Sequence, residues 1–172
     1  MMAAIAALAS MAAAGTSVAA EPRAVFQPVH FGAKGCRTDA DPARIKPGEA
    51  WMRIWSCRGP GGVSIQFADE GNMVDVSVGG GAPVMFPARD EGFGPTVEWR
   101  LERGQPRSAI IRARRRDDTD WLLVFAIRDG KGCYAAKARS NRKARELADT
   151  IDGCADSRRV FGENGAVRRG GL

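Results

Sequence analysis

Four cysteines, one histidine, a strand-like run of arginines and three carboxylate pairs hold most of the chemistry that the 172 residues offer. The cysteines form two couples of equal spacing, Cys36 with Cys57 and Cys133 with Cys154. Zinc sites usually draw on close couples such as C-x2-C, and redox motifs on C-x-x-C; neither occurs here. Four cysteines allow three pairings, and pairing within each couple is the expected one. Cys133 falls in an extended segment, Gly132 to Ala136. Cys154 ends a helical pattern in which Ala144, Leu147, Ile151 and Cys154 share a face. A bridge between them would pin that helix onto the sheet, worth ~3 kcal/mol in the chain-entropy model. Oxidised cysteines supply no thiolate nucleophile.

His30 is the single histidine, so any Ser-His-Asp or Cys-His arrangement would have to use it. It lies in an irregular N-terminal stretch and reads as a surface or packing residue. The pairs Asp69-Glu70, Asp90-Glu91 and Asp117-Asp118 sit at turn signals, where adjacent acids are solvated. Asp149, Asp152 and Asp156 near the helix end read the same way. Acid-only hydrolysis would need two carboxyls held ~5–10 Å apart across a cleft. Gly59-Pro60-Gly61-Gly62 and Gly79-Gly80-Gly81 match no phosphate-cradling fingerprint and read as a hairpin turn and a flexible loop. No catalytic residue, metal or cofactor is expected.

The binding candidate is the basic run. On a strand, Arg112, Arg114 and Arg116 share one face, with Arg100 across from them on the neighbouring strand. Such a patch could meet phosphates, lipid headgroups or an acidic protein. Sheet surfaces that read nucleic acid interleave aromatic with basic side chains. Here the aromatics take the opposite face and Asp117, Asp118 and Asp120 offset the charge, so sequence-specific nucleic-acid recognition is disfavoured.

The elements that position these residues follow from alternation. Ala50 to Cys57, Val63 to Phe67 and Val74 to Val78 alternate and are separated by Gly-rich turns, as in an antiparallel meander. Gly79 to Pro95 reads as a long loop with a short edge strand at Val84 to Phe86. Val97, Trp99 and Leu101 alternate with Glu98, Arg100 and Glu102. Gly104-Gln105-Pro106 turns, Ala109 to Arg114 is extended, and Arg115 to Asp120 is a charged tip. Trp121 to Arg128 is apolar on both faces and suits a central strand, and Asp129-Gly130 signals a hairpin. Ser140 or Asn141 caps a helix running to about Asp152, with Gly153 as its stop. The fold class is mainly β: one domain over 50–155, a curved antiparallel sheet of about six to eight strands or a partly closed barrel, and one C-terminal helix. An irregular segment, 21–49, precedes it and a basic Arg/Gly-rich tail, 156–172, follows.

Residues 1–20 carry no charged side chain and are mostly alanine. Val18 and Ala20 suit the positions before a signal-peptidase cut, giving a mature start at Glu21 and a periplasmic or secreted protein. The basic opening usual in such leaders is missing, and a retained leader would make a membrane tether. The formal net charge of +6 comes mostly from arginine and suits anionic partners in the envelope.

The turn Cys57-Arg58-Gly59-Pro60-Gly61-Gly62, the segment Val97-Glu98-Trp99-Arg100-Leu101 with its Gly-x-Pro turn and Ile-Ile-Arg strand, and the Asn141 helix ending in a cysteine resemble a group of small uncharacterised exported proteins common in alphaproteobacteria. The resemblance covers roughly Ala50 to Cys154 and brings no catalytic residue, cofactor or substrate. The expectation is a non-enzymatic binding or accessory module for an envelope protein or anionic polymer. The alternatives are a membrane-tethered structural protein and a carboxylate-dependent hydrolase.

Overall fold

A computed structural model describes residues 22–40 and 52–155. The leader, the proposed cut after Ala20, Trp51 and the basic tail lie outside the described residues. Among the described residues nine strands form one antiparallel sheet: β1 Arg23–Pro28, β2 Cys36–Ala40, β3 Arg53–Arg58, β4 Ser64–Asp69, β5 Met73–Val78, β6 Val84–Glu102, β7 Gln105–Arg115, β8 Asp120–Arg128 and β9 Lys131–Ala138. The helix α1 spans Asn141–Thr150. Strands β2 to β9 neighbour one another in chain order, and β1 joins the edge of β6. The sheet curls into a half-barrel.

Strand β6 organises the curl. Its first residues pair with β5, Met73 opposite Pro87 and Val76 opposite Val84. Its last residues pair with β1, Val25 opposite Trp99. The opposite edge pairs with β7 through irregular register around Phe93. This corrects the loop expected over Gly79 to Pro95, most of which lies within a 19-residue strand. The glycines and prolines there mark the bend where β6 passes from one half of the sheet to the other. Asp90 and Gly92 take φ of +52° and +71°, which accommodates the bulge. The next reversal also shifts: Arg103 and Gly104 make the two-residue turn, at φ of +50° and +80°, so Gln105 and Pro106 belong to β7. The N-terminal stretch expected to be irregular supplies β1 and β2.

Alternation decides the two faces. Trp55, Phe67, Phe86, Phe93, Trp99, Leu123 and Phe125 fill the inner face. Trp55 stacks on Phe67 with centroids 5.0 Å apart, and Phe93 meets Phe67 edge-on at 4.9 Å. On the outer face Ile110, Leu122, Val124 and Ala138 receive Ala144, Leu147 and Ala148 of α1. Short alanines let the helix lie close to the strands. Ser140 caps the helix by accepting from the Lys143 amide. The helix ends at Thr150, two residues short of expectation, and Ile151 is already extended.

The disulfides join Cys36 to Cys57 and Cys133 to Cys154. The first links directly opposed residues of β2 and β3. The second ties the segment after α1 to β9, and the Ala155 amide then donates to the Tyr134 carbonyl at 2.8 Å. The Gly79 to Gly81 run is a crossing point, not a flexible loop. A Cβ on Gly81 would collide with the Gly132 backbone of the β8–β9 hairpin. Two motifs of the resemblance also meet. Gly59 lies against the Trp99 indole, leaving no room for a Cβ, and Trp99 Nε1 donates to Gln27 at 2.8 Å.

Candidate functional site

The outer face of β6 and β7 carries two groups of arginines. The first group docks the helix. Arg100 makes a two-pronged contact with Asp149 of α1, at 2.8 Å from Nε and 2.7 Å from Nη2. Arg145 of α1 does the same to Glu98 of β6, at 2.8 Å and 3.0 Å. Arg100 also reaches Glu98 at 3.3 Å, closing a four-residue network in which each element lends one acid and one base. Glu98 is only 9% exposed. Hydrogen bonds from Arg100 to Asp149 outweigh burial and raise the Arg100 guanidinium above its ordinary value. The hydrogen bond to Glu98 raises Arg145. Below this network the buried Ser108 hydroxyl donates to the Ala148 carbonyl at 3.0 Å. Sequence reasoning put Arg100 in the anion patch but had no means to see that Asp149, 49 residues away, would take its charge.

The second group lies where β7 ends, β8 begins and β9 ends. Arg112 and Arg114 stand on the outer face as expected, opposite Leu122 and Asp120 of β8. Arg116 lies beyond β7 and donates to the Asn72 carbonyl at 3.2 Å. The acids expected to offset this run do so in part, and also reach Arg89 of β6. Asp120 faces Arg89 of β6 at 3.0 Å and Arg112 at 3.6 Å. Asp118 faces Arg89 at 3.5 Å and Asp117 faces Arg115 at 2.7 Å. A hydrogen bond from the Thr119 hydroxyl, with Arg115 nearby, holds the Asp117 carboxyl below its ordinary value. Arg114 makes no ion pair among the described residues. Arg89 was missed by sequence reasoning because Gly79 to Pro95 read as a loop.

The inner lip of the same end adds an aromatic. Trp121 carries the Lys137 ammonium 4.4 Å and the Arg139 guanidinium 3.8 Å from its ring centroid. Its indole Nε1 is buried and meets no acceptor among the described residues. Burial first, then Arg115 and Arg139, push the Lys137 ammonium below its ordinary value. Together these side chains make a cationic pole: Arg89, Arg112, Arg114, Arg115, Arg116, Lys137 and Arg139 against Asp90, Asp117, Asp118 and Asp120. A cleft of 180 Å³ adjoins it on the outer face, between Phe26, Arg112, Leu122 and Arg145. Phe26 is 59% exposed.

The remaining candidates settle into the framework. His30 is exposed beside Phe31, Arg53, Trp55 and Asp69, around a space of only 10 Å³. Asp69 is 2% exposed, pairs with Arg53 and accepts from the Gly71 amide. Its neighbour Glu70 points to solvent, so this carboxylate pair is split between the two faces. No group of three or more metal-ligating side chains occurs among the described residues. No helix among them is long and apolar enough to cross a membrane.

Comparison with protein-family models, curated proteins and solved structures finds no match for the chain.

Proposed function

We propose that the chain is an exported envelope protein, cut after Ala20 so that the mature form begins at Glu21. In this reading it is a non-enzymatic binding or accessory module whose cationic pole meets an acidic protein or an anionic polymer. One observation carries the reading: the acids of the charged tip are engaged by Arg89, Arg112 and Arg115. Arg114 is thereby left without an ion pair among the described residues, and Arg116 reaches a backbone carbonyl. The two disulfides suit a non-reducing compartment. The resemblance to small exported proteins points the same way.

The test pairs two measurements. Mass spectrometry of the protein from its native host is expected to find a start at Glu21; a retained leader points to the tethered structural alternative. Retention on heparin is expected to fall in Arg114→Glu with Arg116→Glu, with the slope of log affinity against log salt reduced by about 2. Unchanged retention and slope would remove the pole from the binding surface.

A further inference from the structure

We propose that the Cys133–Cys154 disulfide is a thiol-exchange site, open on the folded protein to a low-molecular-weight thiol that carries a carboxylate. The site lies at the opposite end of β8 and β9 from the cationic pole, and it stands whether or not that pole meets an anion.

The two disulfides have different surroundings. Cys57 is 1% exposed within the inner core, and Cys36 packs against that core. Cys133 is half-buried and Cys154 is exposed, and both line a cleft of 350 Å³. Ala126, Gly132 and Gly153 make the rest of its apolar wall, so small groups surround the sulfurs and a thiolate can reach them from solvent. Strand register sets the charge beside them. Ala126 is opposite Cys133 and Arg128 is opposite Lys131, which puts Arg128 and Lys131 on the outer face with Cys133. Asp152 is the acid on the rim, and Arg107 and Arg128 share it at 3.3 Å and 3.5 Å. Lys131 lines the same cleft and makes no ion pair among the described residues.

The exchange balances without an added oxidant. A thiolate attacks Cys154 Sγ and a sulfur–sulfur bond forms between them. The Cys133–Cys154 bond breaks, and its electron pair leaves on Cys133 Sγ as a thiolate. Lys131 and Arg128 favour that thiolate and so make Cys133 the better leaving group. The same two cations attract a carboxylate on the incoming thiol and repel an ammonium. Opening the bridge leaves α1 docked, because Arg145, Ala148 and Asp149 all hold it upstream of Thr150. It loosens the segment from Ile151 to Ala155, whose last amide donates to the Tyr134 carbonyl.

The experiment treats the disulfide-bonded protein with 3-mercaptopropionate or with cysteamine at low ionic strength. Iodoacetamide added under native conditions traps free thiols, and peptide mass mapping assigns them. A Cys154 adduct with alkylated Cys133 is expected, formed at least about tenfold faster than any reaction at Cys36–Cys57 and at a rate proportional to thiol concentration. Equal reaction at the two bridges, the reverse placement of the adduct, or a rate that saturates at an unfolding step overturns the site. Lys131→Glu tests the class of thiol. The ratio of the 3-mercaptopropionate rate to the cysteamine rate is expected to fall about fivefold in that variant. An unchanged ratio overturns the carboxylate preference. Far-ultraviolet circular dichroism of the adduct is expected to keep its helical signal. Loss of that signal would mean that exchange runs through unfolding, and it overturns a site on the folded protein.

Discussion

At the helix dock, Arg100 and Arg145 face carboxylates that arrive from a different element. At the cationic pole, Arg112, Arg114 and Arg116 share their neighbourhood with acids from the same hairpin, of which Asp120 faces Arg89 and Arg112, Asp118 faces Arg89 and Asp117 faces Arg115. Residue type and sheet face are shared by Arg100 of β6 and by Arg112 and Arg114 of the adjacent β7. What differs is the origin and burial of the partner. Glu98 and Asp149 are held in place by the packing of α1, so their pairs are two-pronged and partly desolvated. The pole's acids are half-buried to exposed, and one guanidinium spreads over several of them. Arginines can therefore serve as structural fasteners at one end of a strand pair and as an outward-facing charge at the other.

The sharpest way to break this contrast is to remove one acid from the dock. Glu98→Ala removes the nearly buried acid that the exposed Arg145 and the nearly buried Arg100 share, Arg100 keeping Asp149, and is expected to cost about 3 kcal/mol in urea unfolding. Arg114→Glu with Arg116→Glu at the pole is expected to change stability by less than about 0.5 kcal/mol. Comparable losses at the two sites would end the distinction between fastener and exposed charge.

The second disulfide sharpens the dock itself. Replacing Cys133 and Cys154 together by serine is expected to cost about 3 kcal/mol through loop closure. The helix should stay in place, because Ala144 and Ala148 remain packed and both ion pairs remain. Far-ultraviolet circular dichroism that keeps its helical signal supports this; loss of that signal would make the disulfide the true fastener.

Strand β9 links the two regions, carrying Cys133 toward the dock and Lys137 toward the pole. Between them Tyr134 packs inward against Phe125, with centroids 6.2 Å apart. Burial pushes its phenol up to about 12 from an ordinary 10.0. The folded chain thus keeps a proton that the unfolded chain releases, so stability is full below pH 10 and falls as pH rises toward 12. The loss is on the order of 2 kcal/mol. Tyr134→Phe, unfolded across the same range, is expected to lose this part of the slope.

Alternation made most of this legible. Inward Trp55, Phe67, Trp99 and Phe125 each sit on a period-two pattern, and Ser140 and Asp129-Gly130 announce their cap and turn by chemistry alone. Both disulfide pairings were also readable, since each links a couple already set apart by spacing. The bend in β6 was not. Glycine and proline signal a loop locally, and only pairing with β1, β5 and β7 keeps the chain extended through them. The same limit hid the fate of Arg100 and the closeness of Gly81 to Gly132. Period two can place Arg112 and Arg114 on a face, but it cannot say which carboxylate from a distant helix or strand will reach that face first.

The smallest effect concerns a carboxylate in neither arrangement. Asp75 of β5 makes no ion pair among the described residues, and its neighbours in register are Ala68 and Met85. Burial first, then the nearby Glu70, raises its carboxyl above the ordinary value. A raised acid contributes stability only while it is protonated, so at neutral pH the charged Asp75 opposes folding. Asp75→Asn should therefore raise Tm at pH 7, by about 2 °C for a domain of this size. The gain should shrink as pH falls and the native carboxyl takes up its proton. At the dock, by contrast, Glu98 and Asp149 each face a guanidinium group. A destabilised Asp75→Asn at neutral pH would mean that this carboxylate, too, has found a cation.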